Sequence, residues 1–232
     1  MSKILSVQNL SVRLDDQTIL QNVSFDLEQG ENLAVIGPNG SGKTVLLKSL
    51  LGMMPHEGKI KWAPEAKIGY VPQKIDADRH LPIDLQNLLA AKAAILRIPK
   101  SAIQSAAEMV GITAQIMKTP IGHLSGGQFQ KALIAFALLG DPNVLILDEP
   151  TASIDKSGEE QIYELVHRLE NSSGITVLVV SHDLSFVYRY AAKVLCLNAS
   201  GICFGTPEET LTPQVLERLY GSVKYYHHIH KQ

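Results

Sequence analysis

Eight consecutive residues, Gly37-Pro38-Asn39-Gly40-Ser41-Gly42-Lys43-Thr44, follow an apolar stretch and open a helically spaced one. Their spacing, G-x-x-x-x-G-K-[ST], is that of a loop that wraps a polyphosphate. Side chains would block such a loop, so glycines let backbone N–H groups converge on the phosphate oxygens, and the amino terminus of the following helix adds positive potential. Lys43 is the expected contact to the outer phosphates and Thr44 an expected Mg²⁺ ligand. A glycine-rich turn that merely caps a helix would have no reason to satisfy the whole pattern in this context.

A second group of acids fits the same chemistry. Val144-Leu145-Ile146-Leu147-Asp148-Glu149 is an apolar run that ends in two carboxylates. A buried strand would place Asp148 at its carboxyl end to hold Mg²⁺, directly or through water, and would let Glu149 point at an attacking water. General-base help of this kind is worth about 10²- to 10⁴-fold in rate. Alone, the run would read as a strand ending in solvated acids; beside the glycine loop the catalytic reading prevails. A third group, Leu124-Ser125-Gly126-Gly127-Gln128, lies just before a helix, and its serine and two glycines form another anion-binding turn. One nucleotide needs only one cradle, so the second requires an explanation.

These groups must be carried by a scaffold, and the sequence outlines one. Short strands are expected at Ile4–Val7, Val12–Leu14, Val23–Leu27 and Asn32–Ile36, forming an antiparallel flap that leads into a core strand. A helix through Leu51 and strands at Lys59–Trp62 and Ile68–Val71 follow. From Ile83 to Lys118 the chain is rich in Ala, Leu, Gln and Lys at helical spacing, flanked by Pro82 and Pro120. The remainder alternates: helix Gln128–Leu139, strand Val144–Leu147, helix Gly158–Asn171, strand Thr176–Val180, helix Leu184–Tyr190 and strand Lys193–Leu197. That order predicts an α/β fold with a mainly parallel sheet covered on both faces. It divides into a core with its β flap (1–82 and 140–220), a helical subdomain (83–139) and a tail (221–232).

Composition limits the function classes. The chain has 232 residues, 45% of them hydrophobic and 19% charged, enough for one substantial core. Its longest apolar stretches, such as Ala132–Leu139, fall well short of the roughly 20 residues that cross a bilayer. The amino terminus lacks a hydrophobic segment with a small-residue cleavage site, so a cytoplasmic protein is expected. Lys+Arg 21 against Asp+Glu 23 gives 21 − 23 = −2 with scattered charges, which disfavours nucleic acid as a partner. Cys196 and Cys203 fall in an expected strand pair and would be free thiols in a reducing compartment, behaving as small buried hydrophobes.

Taken in order, the three groups resemble the ABC ATPase family, whose P-loop NTPase fold the expected elements match. In that family the LSGGQ turn of one subunit closes over the nucleotide held by the phosphate loop of another. The resemblance therefore implies a head-to-tail dimer, here a homodimer, with two ATPs at its interface, and it assigns Ser125, Gly126, Gly127 and Gln128 to the partner's nucleotide. Three further positions gain roles from it. Gln73, after Tyr70-Val71-Pro72, matches the glutamine that senses Mg²⁺ and water; without the family it is a turn residue. His182 matches the switch histidine that hydrogen-bonds the γ-phosphate. Asp155 matches the loop that reaches across the dimer; otherwise it is an N-cap.

Two positions depart from the family pattern. Relatives usually place an aromatic residue against adenine where Ser11-Val12-Arg13-Leu14 offers Leu14, which implies weaker base stacking. After the signature, Lys131 replaces the usual arginine, keeping charge but losing the planar fork. The resemblance runs from Leu5 to near the carboxyl end. It extends to the ATPases of zinc and manganese importers through Lys67-Ile68-Gly69-Tyr70-Val71-Pro72-Gln73-Lys74 and through Val194–Asn198 leading into Gly205-Thr206-Pro207-Glu208. It implies integral membrane permease subunits as partners, an extracytoplasmic substrate-binding protein indirectly, and a peripheral position on the inner face of the membrane. The alternatives are another importer, an exporter, or an ABC ATPase without transport, though tandem ATPase units and long coiled coils are missing from the sequence. The tail Tyr225-Tyr226-His227-His228-Ile229-His230 holds three of the eight histidines. It reads as a polar terminus or, alternatively, as a zinc sensor that slows the ATPase.

Overall fold

The computed structural model describes residues 2–15, 17–73, 82–152, 154–198 and 201–221. His227, His228 and His230 of the tail, Lys74 and Ser153 lie outside the described residues. Nine strands and nine α-helices are ordered along them: β1 (Lys3–Leu14), β2 (Gln17–Glu28), β3 (Asn32–Ile36), α1 (Lys43–Leu50), β4 (Glu57–Trp62), β5 (Ile68–Val71), α2 (Leu85–Leu96), α3 (Ser101–Met109), α4 (Ala114–Met117), α5 (Gly126–Leu138), β6 (Val144–Asp148), α6 (Lys156–Ser173), β7 (Thr176–Val180), α7 (Leu184–Tyr190), β8 (Lys193–Asn198), β9 (Gly201–Gly205), α8 (Pro207–Thr210) and α9 (Pro213–Tyr220).

The strands form two sheets. One is three-stranded in the order β2-β1-β4, antiparallel throughout, and is the expected flap. The other runs β5-β6-β7-β3-β8-β9, parallel except for the β8-β9 hairpin. The apolar runs explain the parallel part: every residue of β3, β6 and β7 is buried, because both faces of this sheet are covered. Period-2 alternation then divides each strand between two cores. Leu145 and Leu147 of β6 join the helices, whereas Val144 and Ile146 join β1, β2 and α1.

Four differences from the sequence reading have identifiable causes. Ile4–Val7 and Val12–Leu14 belong to one long strand, β1, whose register shifts between Val7 and Leu10. Asn9 there takes φ 50°, and Gly58 faces it so closely that a Cβ would lie 2.4 Å from the Asn9 carbonyl oxygen. A bulge of this kind breaks alternation, so one strand reads as two. Second, α5 and α6 begin two residues earlier than their apolar periodicity, because Ser125 and Asp155 cap them. Third, α8 and α9 went unread although each carries a Thr-Pro start, Thr206-Pro207 and Thr212-Pro213, with the threonine accepting from the third helical N–H.

The fourth difference concerns the cysteines. Cys196 and Cys203 are directly opposed in the β8-β9 register with their Cα atoms 4.9 Å apart, and they form a disulfide. The expectation of free thiols is corrected. It weighed the redox compartment and overlooked that a short hairpin with this register brings the two Cβ atoms within bridging range.

Candidate functional site

Four neighbouring strands, β5, β6, β7 and β3, run parallel, so their carboxyl ends lie side by side about 4.8 Å apart. Each end leads directly to a residue singled out above: β5 to Gln73, β6 to Asp148 and Glu149, β7 to His182, and β3 to Gly37. This is the edge of an open α/β sheet at which ligands bind.

The loop from Gly37 to Gly42 has the geometry of a cradle. Gly37, Gly40 and Gly42 all have positive φ, at 152°, 80° and 92°. A Cβ on Gly37 would stand 2.2 Å from the Leu197 carbonyl oxygen, and one on Gly42 would meet Leu20 at 2.8 Å. Gly42 is the N-cap of α1 and offers no side-chain acceptor, so the first-turn N–H groups of that helix remain available to an anion. Lys43 is buried, and its ammonium donates to the Gly37 and Pro38 carbonyls at 2.9 and 3.1 Å, drawing the loop closed. Burial lowers its pKa, while Glu149 and Asp148 oppose that shift. Among the described residues the shielded Ser41 hydroxyl meets no hydrogen-bond partner. An orphaned polar atom inside such a loop fits a polyphosphate and its cation.

The acidic half sits against this loop. Thr44 donates to Asp148 at 3.4 Å, and Asp148 is 1% exposed. Burial pushes its carboxyl pKa up, Thr44 pulls it down, and the charge of Glu149 pushes it up again. Two hard oxygen donors from different elements, meeting beside a phosphate loop, suit Mg²⁺ bound together with the phosphates. Glu149 adopts φ 48°, a left-handed conformation that is rare for a residue with a side chain. This turn aims the Glu149 carboxylate at three site groups. Gln73 donates to it at 2.5 Å, His182 Nε2 meets it at 2.5 Å, and the Lys43 ammonium lies 3.8 Å away.

The raised pKa of Asp148 makes a testable statement about stability. A carboxylate whose folded pKa exceeds its unfolded value keeps its full contribution below the unfolded pKa and loses it as pH rises through the folded one. At neutral pH the empty protein therefore carries an unfavourable buried charge. Asp148→Asn is expected to raise the nucleotide-free Tm by a few degrees at pH 7, where about 1 kcal/mol corresponds to roughly 2–4 °C in a chain of this size. The difference should vanish toward pH 3, while ATPase activity falls at every pH. Thermal melts of both proteins across pH check it.

Ser125, Gly126, Gly127 and Gln128 stand elsewhere. Ser125 caps α5 in a reciprocal capping box with Gln128, at 3.3 and 3.0 Å. With Lys131 and Asp155 they line a separate cleft of about 490 Å³. Asp155 caps α6 by accepting from Gly158 N–H at 2.8 Å, so the N-cap role is present within this chain. A Cβ on Gly127 would meet nothing within 4 Å, and the residue has ordinary helical φ. Among the described residues, neither packing nor backbone requires a glycine there. Leu14 is 38% exposed at the end of β1, at the hairpin whose returning strand β2 brings Ile19 and Leu20 against Gly42. Lys131 reaches Gln161 at 3.5 Å.

A model of the ABC transporter family matches residues 20–152, a span that includes the phosphate loop, the signature turn and both acids. The chain belongs to the ABC transporter family. Its relatives include a protein named "Zinc import ATP-binding protein ZnuC" from Brucella abortus (strain 2308), 40% identical over 235 residues that cover 98% of this chain and 78% of that one. Another is a "Probable metal transport system ATP-binding protein" from Thermotoga maritima, 40% identical over 94% of this chain and 90% of the relative. Among solved structures, a chain of an ABC transporter in an inward-facing conformation superposes with TM-score 0.86 at 30% identity, over 94% of this chain and 89% of that one. This ABC ATPase therefore has the expected cassette fold and hydrolyses ATP. Among the described residues no helix is long and apolar enough to cross a membrane.

Sequence reasoning did not single out Thr151, Tyr163 and Ser181 as site residues. Tyr163 lies on the apolar face of the amphipathic α6 and reads there as core; no spacing signals that its hydroxyl finds two partners near the site.

Proposed function

We propose that this cassette is the motor subunit of an importer for a divalent metal ion such as zinc or manganese. It acts as a homodimer on the inner face of the membrane, with separate permease subunits and, indirectly, an extracytoplasmic substrate-binding protein. The observation that carries the catalytic part is the convergence of Gln73, His182 and Lys43 on the Glu149 carboxylate beside the phosphate loop. The metal as cargo is supported by the names of two relatives that cover nearly the whole chain.

ATP lies in the cradle from Gly37 to Thr44, with Lys43 on its outer phosphates and Leu14 beside the base. Thr44, Asp148 and Gln73 would hold Mg²⁺, which would supply charge neutralisation to the phosphates. Glu149 takes the proton of the attacking water, and His182 turns from Glu149 to the γ-phosphate as the site fills. The bare surface of Gly127, with Ser125 and Gly126, closes over the γ-phosphate held by the partner copy, and Asp155 follows it into the interface. That no described residue of its own chain calls for a glycine at position 127 supports that reading. Catalysis then rests on positioning and charge stabilisation.

Co-isolation of the chain from native membranes tests the assignment. The expected result is an integral membrane partner and ATP-dependent zinc or manganese uptake that requires this chain. A preparation with no membrane protein, whose ATPase is stimulated by DNA or ribosomes, would overturn it.

A further inference from the structure

Behind the site, five polar groups form a continuous path that is buried at Tyr163 and Ser181 and half-buried at its ends. The Tyr163 hydroxyl lies 2.9 Å from Ser181 Oγ and 3.2 Å from Thr151 Oγ1. Thr151 Oγ1 is 2.9 Å from Glu159 Oε1, and Asp183 N–H donates to Ser181 Oγ at 3.0 Å. Tyr163 is 4% exposed and Ser181 2% exposed.

The direction of each proton follows from the donor inventory. A carboxylate only accepts, so Thr151 gives its single O–H to Glu159. Tyr163 must then donate to Thr151, and with its own hydrogen committed it accepts from Ser181. The path therefore runs one way, from the Asp183 amide through Ser181, Tyr163 and Thr151 to Glu159. Bonds aligned head to tail polarise one another in a low-dielectric interior, and the path ends on an anion that anchors its direction. Burial pushes the Tyr163 pKa up, which keeps the phenol protonated as the path requires. Its ring is held independently by stacking on Phe186 at 3.9 Å and 17°.

Before it reaches Glu159 on α6, this path joins the two loops that matter most. Thr151 stands two residues after Glu149, on the segment that leads to Asp155. Ser181 and Asp183 flank His182. From this we infer that the Tyr163 hydroxyl is a positioning group for ATP hydrolysis, locking the backbone around His182 to the turn between Glu149 and Asp155 so that the two move together when the partner copy closes. The inference rests on the role given to His182 under the proposed function. Tyr163 touches no reacting atom and acts only through the placement of His182.

Tyr163→Phe keeps the stacked ring and removes only the hydroxyl. The expected result is a kcat about tenfold lower with KM for ATP within twofold of the parent. Because the effect passes through His182, the same substitution in a His182→Ala background should change the residual single-turnover rate by less than twofold. Ser181→Ala cuts the path at its other end and should reproduce the loss, with the Tyr163→Phe/Ser181→Ala double variant no slower than either single one; this arm also serves if Tyr163→Phe folds poorly. Equal fractional losses in both backgrounds, or a lower Tm with kcat unchanged, would overturn the inference. A His182→Ala protein that hydrolyses ATP at the parental rate would instead overturn the site reading beneath it.

Discussion

Glu149→Gln is expected to reduce ATP hydrolysis by about 10²- to 10⁴-fold, the range that a positioned general base supplies, while ATP affinity stays within a few fold. The reason lies in what the carboxylate touches. Glu149 approaches the Lys43 ammonium of the phosphate loop only to 3.8 Å, whereas it meets Gln73 and His182 at 2.5 Å each. An amide keeps the size and the ability to accept one hydrogen bond but cannot take a proton from water. The left-handed backbone at Glu149 remains strained in the variant, since glutamine gains nothing over glutamate at φ 48°. Stopped-time hydrolysis assays alongside equilibrium nucleotide binding check both parts. A variant that hydrolyses at the parental rate would remove Glu149 from the base role.

Lys43 should show the opposite division, with binding lost first. Its side chain is 6% exposed, and its ammonium holds the Gly37 and Pro38 carbonyls together, so it shapes the cradle as well as charging it. Lys43→Ala removes charge-assisted hydrogen bonds worth about 1.5–3 kcal/mol, which corresponds to roughly 10- to 100-fold in ATP dissociation constant, with hydrolysis falling further because Asp148 and Glu149 lose their counterion. Lys43→Arg should fail nearly as badly: the planar guanidinium is wider than the slot that admits the ammonium between two backbone carbonyls. Calorimetric titration with ATP against each variant measures this directly. Arginine restoring parental affinity would show that charge alone, and not the fit of the loop around it, carries binding.

Much of this was legible in the sequence because its signals were local. The apolar runs 33–36, 144–147 and 177–180 are central strands because nothing in them needs water, and the glycines at 37, 40 and 42 are required by φ and by close approach. What stayed hidden depended on register or on contacts distant in sequence. Asn9 breaks alternation within β1, the facing of Cys196 and Cys203 follows from hairpin pairing, and α8 and α9 are too short for periodicity to show, although their Thr-Pro starts were readable. The site followed the same division. Residue types and order pointed to the phosphate loop and both acids, and the family resemblance pointed to Gln73 and His182; the structure adds that these groups lie together at the strand ends. The adverse backbone of Glu149 and the hydroxyl path through Tyr163 arise only when four strand ends and α6 come together. Gly127 is instructive in the other direction: its motif was plain in the sequence, and the structure adds that no neighbour among the described residues explains it.

The head-to-tail arrangement is the central claim, and sedimentation of Glu149→Gln with saturating MgATP tests it most directly. The predicted result is a shift from monomer to a stable dimer holding two ATPs, abolished by Ser125→Glu, which sets a negative charge where the partner's γ-phosphate must lie. A stalled, ATP-saturated protein that sediments as a monomer, both alone and with its membrane partner, would contradict it.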